Sequence, residues 1–139
     1  MPTVYTWSDL RTAQRNLRNE NSTRTDLVDK RDRLESAYSS ICSYKSSFEE
    51  QKNIFTNSVY NGDFQWKGEV HDLVAGEFGT FFYIYSNYND LFNRIDTVLD
   101  DINTKRLELD LQIDVCDGNI AAFQDLINII TTYLDNLTN

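Results

Sequence analysis

Apolar side chains recur at alternating steps of four and three residues through the second half of the chain. The stripe consists of Val74, Phe78, Phe81, Tyr85, Tyr88, Phe92, Ile95, Leu99, Ile102, Leu109, Ile113, Cys116, Ile120, Phe123, Ile127, Ile130, Leu134 and Leu137, with Arg106 as its one interruption. This spacing places every member on one face of a helix, whereas a strand would alternate at every second residue. The pattern therefore predicts one long helix over residues 69–137, packed along a seam.

The first half shows the same pattern more weakly. Its heptad row consists of Leu27, Leu34, Ile41, Phe48 and Phe55. Thr6 and Asp9 have the spacing of a capping box, which predicts a helix over residues 8–60. Residues 19–26 are poor helix formers, so we expect fraying or a kink there. Gly118 lies off the second stripe and is interpreted as either a surface glycine or a kink.

Between the two patterns lies one clear loop, residues 61–68, which begins with the turn signal Asn61-Gly62. Pro2 is the only proline and there are five glycines, too few for the many turns of a sandwich or barrel. We predict an all-α fold: one domain over residues 1–139, an antiparallel two-helix hairpin with long, coiled-coil-like helices.

A turn near residue 65 predicts that facing residue numbers add up to about 129. Arg11, Arg15 and Arg18 would then lie near the carboxylates of Asp110, Asp114 and Asp117. In this register the apolar tail, residues 122–137, overhangs the first helix. We expect it to bind another protein, or to bend back at Gly118, because such a surface does not stay exposed to water.

The charge of the chain is strongly asymmetric. Its net charge is −9, and residues 61–139 carry four Lys/Arg against fourteen Asp/Glu. Phosphate binding needs a basic surface, so we expect no nucleic-acid partner. The N-terminal residues lack the basic and apolar regions of a cleavable signal peptide, and no stretch has the length of a membrane span, so no membrane insertion is expected.

The residues available for catalysis are few. His71 is the only histidine, and Cys42 and Cys116 lack metal-ligand spacing and are expected to be small core residues. The carboxylate clusters lack the Glu-x-x-His pairs of di-metal bundles and are interpreted as a solvated acidic face. We therefore expect no enzyme activity, no catalytic or metal-binding residues and no cofactor.

Two apolar surfaces are candidates for protein binding. Phe82 and Tyr83 flank the stripe in an aromatic run that is interpreted either as a wide core or as an interface. The predicted contact residues of the tail are Phe123, Ile127, Ile130, Leu134 and Leu137.

Trp66-Lys67-Gly68 lies in the loop between the two heptad-patterned helices. With this motif, in a small acidic helical chain, the sequence resembles the WXG/ESAT-like helical hairpins of bacterial type VII secretion. The resemblance covers the architecture of the whole chain and the two motif residues Trp66 and Gly68. The extra length is most similar to the small accessory proteins of LXG-domain toxins in Gram-positive bacteria.

This resemblance implies a targeting chaperone that packs beside the helical N-terminal domain of an LXG-type toxin, together with a second small helical accessory protein. It implies a cytoplasmic chain, with export through the type VII machinery left open. The family's export signal pairs an aromatic residue with an acid four positions later. Phe92 and Asp96 have this spacing, although mid-helix. The alternative function is a self-assembling homodimeric scaffold without a toxin partner.

Overall fold

The chain folds into an all-α helical hairpin whose two helices pack against each other. The computed structural model describes residues 3–60 and 71–138, without the side chains of residues 58–60 and 71–82. Helix α1 spans Trp7–Tyr60 and helix α2 spans His71–Thr138. The two predicted helices are confirmed. The predicted loop over residues 61–68 and the predicted start of the second helix at residue 69 lie outside the described residues.

The capping box at the start of α1 is confirmed. The backbone N–H of Thr6 donates to Asp9 Oδ2 at 2.8 Å, and the backbone N–H of Asp9 donates to Thr6 Oγ1 at 3.2 Å. The N–H of Leu10 then makes the first helical bond, to the carbonyl of Thr6. Two amide groups that the helix itself leaves unpaired are thus satisfied, which explains why α1 begins here.

The expected fraying over residues 19–26 is wrong, because α1 continues through this segment. The hydroxyls of Thr23 and Thr25 donate to the carbonyls four residues earlier, at 3.1 Å and 2.9 Å, so their hydrogen-bonding capacity is satisfied within the helix. Helix α2 likewise continues through Gly118, where an added Cβ would meet nothing within 4 Å. Of its two interpretations, the surface glycine is the one observed.

The chain divides into two compact units. The terminal unit comprises Met1–Glu35 and Thr104–Asn139, and the central unit comprises Ser36–Asn103. The core of the terminal unit contains Leu10 and Ala13 from α1 and Ile130 and Leu134 from α2. The residues packed around this core are Tyr5, Leu126, Ile127 and Tyr133. Burial of one such aliphatic side chain contributes about 1.5–3 kcal/mol, so these contacts hold the two chain ends together.

Polar pairs across the seam define the register within each unit. The terminal unit contains Arg24–Asp117 and Arg31–Asp110, and the central unit contains Lys45–Asp96 and Lys52–Asn89. In all four pairs the residue numbers add up to 141. We call these four pairs the polar ladder. Arg106 belongs to the same register, since its Nε lies 3.8 Å from Glu35 Oε1.

The predicted sum of about 129 is therefore wrong, and so is the predicted pairing of Arg11, Arg15 and Arg18. Asp117 and Asp110 instead pair with Arg24 and Arg31. Two facts account for the shift: the seam-facing cations find acceptors in this register, and the N-terminal turns of α1 cover the apolar tail. The predicted overhang of residues 122–137 is also wrong, because Ile130 and Leu134 are buried against α1.

Candidate partner-binding surface

The predicted contact residues of the tail belong largely to the core of the terminal unit. Ile130 and Leu134 are buried, Ile127 is packed against them, and Phe123 is half-buried. Leu137 is exposed. The prediction that Ile130 and Leu134 contact a partner is thus corrected, because the first turns of α1 already cover both side chains. Of the tail set, Leu137 is the side chain that presents most of its surface to solvent.

The other predicted site residues have different surroundings. Tyr83 is exposed, whereas the side chain of Phe82 and the turn motif, Trp66 and Gly68, lie outside the described residues. Phe92 and Asp96 are both engaged in the seam of the central unit. Lys52 Nζ lies 5.4 Å from the centre of the Phe92 ring, and Lys45 Nζ donates to Asp96 Oδ1 at 2.7 Å.

The cations of the central unit are held by aromatic and polar groups together. Lys52 Nζ lies 4.6 Å from the centre of the Tyr85 ring and donates to Asn89 Oδ1 at 2.9 Å. The hydrogen bond to Asp96 raises the pKa of Lys45. A lysine over ring faces keeps its charge while its methylene groups cover apolar surface, so these residues stabilise the seam.

A second apolar stripe, which sequence reasoning missed, lies on α2 in the terminal unit. Leu107, Leu111 and Val115 follow one another at four-residue steps and expose 65%, 66% and 64% of their surface. Leu111 lies two positions after the buried Leu109, and Val115 lies two positions after the buried Ile113. Two positions correspond to a rotation of about 200° around the helix. We call these three residues the outward stripe, because they face away from the seam.

The outward stripe continues toward the C-terminal end of α2 with small or apolar residues. Gly118 and Ala122 are exposed on the same line, and Ile129 exposes 53% of its surface. The sequence signal was available: Leu107, Leu111 and Val115 are apolar at helical spacing but lie off the seam pattern. The row was missed because the much longer seam stripe dominates the periodicity of the helix.

Acidic side chains border the outward stripe. Asp114 and Asp125 are exposed, and neither forms an ion pair with any of the described residues. Glu108 is exposed as well, and its Oε2 lies 3.3 Å from Lys105 Nζ. The surface is thus apolar along its middle and negatively charged along its borders.

The remaining chemistry is limited in the part of the chain that the structure describes. No group of three or more His, Cys, Asp or Glu side chains there could hold a metal ion. No described helix is long and apolar enough to cross a bilayer. Cys116 is buried, as predicted, and Cys42 is half-buried. Burial raises the pKa of the Cys116 thiol, which keeps it protonated and unreactive at neutral pH.

No protein-family model matches this chain, and comparisons with curated proteins and with solved structures find no match either. The function proposed below is therefore argued from the geometry of the chain.

Proposed function

We propose that this protein is an accessory chaperone that binds a helix of a larger protein along the outward stripe of α2. The partner that the resemblance implies is the helical N-terminal domain of an LXG-type toxin, which the chain would keep soluble and present for type VII secretion. A second small helical accessory protein would join the same bundle. The chain acts in the cytoplasm and is exported with the toxin or remains behind.

The exposure of Leu107, Leu111 and Val115 is the observation that supports this proposal. Three large aliphatic side chains lie in a row, each about two-thirds exposed. Full burial of an exposed aliphatic side chain contributes roughly 1.5–3 kcal/mol, so a helix that covers the row offsets part of the cost of association. Aligned apolar residues at i, i+4 and i+8 are the contacts through which an amphipathic helix docks onto another helix.

The register of the hairpin determines which variants can test this proposal. Truncation of residues 122–139 would remove Ile130 and Leu134 and so disrupt the core of the terminal unit. Such a truncation cannot separate loss of binding from loss of folding. A substitution at Leu111 can, because this side chain lies outside the core.

We would co-express the tagged chain with LXG-type toxin domains encoded beside it and measure co-purification. The native chain is expected to retain the toxin domain, and Leu111→Asp to lose it while keeping its helical circular dichroism. Ile54→Asp is the matched control, because Ile54 is an exposed aliphatic residue on α1 in the central unit. Retention of the toxin domain by Leu111→Asp would contradict the proposed surface.

A further inference from the structure

The borders of the outward stripe carry one sign of charge. Residues 107–139 contain six acids, Glu108, Asp110, Asp114, Asp117, Asp125 and Asp135, and no Lys, Arg or His. Asp110 and Asp117 face the seam and pair with arginines of α1. Of the acids that remain beside the outward stripe, Glu108 lies 3.3 Å from Lys105, whereas Asp114 and Asp125 form no ion pair with the described residues.

We infer that the outward stripe of α2 takes a basic amphipathic helix, that is, a helix whose apolar row is bordered by Lys or Arg. This inference rests on the proposed function and specifies the chemistry of the partner. The apolar row of that helix covers Leu107, Leu111 and Val115. Its cations pair with Asp114 and Asp125, which form no ion pair with the described residues.

The positions of the two acids fit this arrangement. Asp114 lies three residues after Leu111, one helical turn along the same side of α2, and Asp125 lies three residues after Ala122. Long lysine and arginine side chains lie along apolar surface while their charged ends reach outward, so they bridge an apolar row to acids at its border. Opposite charges at such a border select the partner and speed its association.

A second copy of this chain fits the surface less well. Two outward stripes placed together would bring acids against acids, which is repulsive, because residues 107–139 contain no Lys, Arg or His. Helix α1 does expose the arginines Arg11, Arg15 and Arg18, but their exposed neighbours Thr12, Gln14 and Asn19 are polar. The apolar residues of this segment, Ala13 and Leu17, are buried and half-buried. That face supplies charge without the apolar row needed to cover Leu111.

The probes for this inference are two synthetic helical peptides with the same row of leucines. One carries Lys at the bordering positions and the other carries Glu. Binding of each fluorescent peptide to the full chain is measured by anisotropy across a series of NaCl concentrations. We expect the Lys peptide to bind about tenfold more tightly at low salt, because two or three exposed ion pairs contribute on that order, and this preference to shrink as salt screens the charges.

The variant Asp114→Asn/Asp125→Asn is expected to bind the Lys peptide several-fold more weakly and to leave the Glu peptide unchanged or stronger. The matched control is Asp26→Asn/Glu50→Gln, which removes two exposed acids from α1 and should change neither affinity. Leu111→Asn should weaken both peptides, because it removes the apolar contact that they share.

The outcomes separate the inference from the function on which it rests. Equal affinity for the two peptides, lost in Leu111→Asn, would overturn the basic partner and leave the docking surface in place. If Leu111→Asn leaves the affinity for the Lys peptide unchanged, both the basic partner and the docking surface are overturned, because the attraction is then unspecific. Failure of both peptides to bind, or a dimer of the native chain that Leu111→Asn dissociates, would also overturn the inference.

Discussion

Arg31 Nη1 donates to Asp110 Oδ1 at 3.4 Å, and the numbers of the two residues add up to 141. The bond raises the pKa of Arg31, whose Nε is buried and has no hydrogen-bond partner. A slip of the two helices would break this bond and leave Arg31 only its pair with Asp32 of α1, whose Oδ1 lies 3.4 Å from Nη2. The other pairs of the polar ladder repeat this arrangement at the same sum.

The Lys45–Asp96 pair tests whether charge helps to set the register. Asp96→Lys would place two cations opposite each other and is expected to lower the urea midpoint of unfolding. The exchanged double variant Lys45→Asp/Asp96→Lys should recover most of this loss, because the opposite charges face each other again. Urea denaturation of the two single variants and the double variant gives the coupling. Additive losses would show that this pair contributes nothing specific.

Two adjacent isoleucines test the burial of the C-terminal tail. Ile130 exposes 1% of its surface and Ile129 exposes 53%. Ile130→Ala is expected to lower the free energy of unfolding by about 2–5 kcal/mol, because it leaves a cavity against Leu10 and Ala13. Ile129→Ala should cost less than about 0.5 kcal/mol. Equal losses in thermal or urea denaturation would contradict the register described for the terminal unit.

The sequence predicted the two helices because apolar residues at alternating steps of three and four, without an internal proline, fit a helix and not a strand. It also predicted the start of α1, since the Thr6–Asp9 capping box depends on local spacing alone. Register could not be obtained in this way. It depends on which of many similar heptads face each other, and a turn placed at residue 65 put Asp117 near Arg11, whereas it pairs with Arg24. The outward stripe was missed because Leu107, Leu111 and Val115 form a short row, and the much longer seam stripe dominates the periodicity of α2.

Gly118 provides a test that involves no lost contact. Its φ is not positive, and an added Cβ would meet nothing within 4 Å. Gly118→Ala is therefore expected to raise the free energy of unfolding by about 0.5–1 kcal/mol, because alanine loses less backbone freedom on helix formation. Ala122→Gly on the same line should lower it by a similar amount. Destabilisation by Gly118→Ala in urea denaturation would show that the position is closely packed.

The two thiols should differ in reactivity. In the native chain a thiol reagent is expected to modify Cys42 faster than Cys116, because Cys116 is buried and its pKa is raised. A raised pKa in the folded chain contributes stability that is present below the unfolded value of about 8.5 and is lost as pH rises through the folded value. Cys116→Ala should therefore lose less stability than the native chain between neutral and alkaline pH. Labelling of single-cysteine variants and urea denaturation at each pH measure both effects.

We propose that the outward stripe binds another protein. Size exclusion with light scattering tests it most directly, on the chain alone from low micromolar to the highest soluble concentration, and then on the chain mixed with an LXG-type toxin domain. The chain alone is expected to form no stable homodimer, and its complex with the toxin domain is expected to be lost in Leu111→Asp. A dimer of constant mass at every concentration, dissociated by Leu111→Asp and unaffected by the toxin domain, would contradict this proposal.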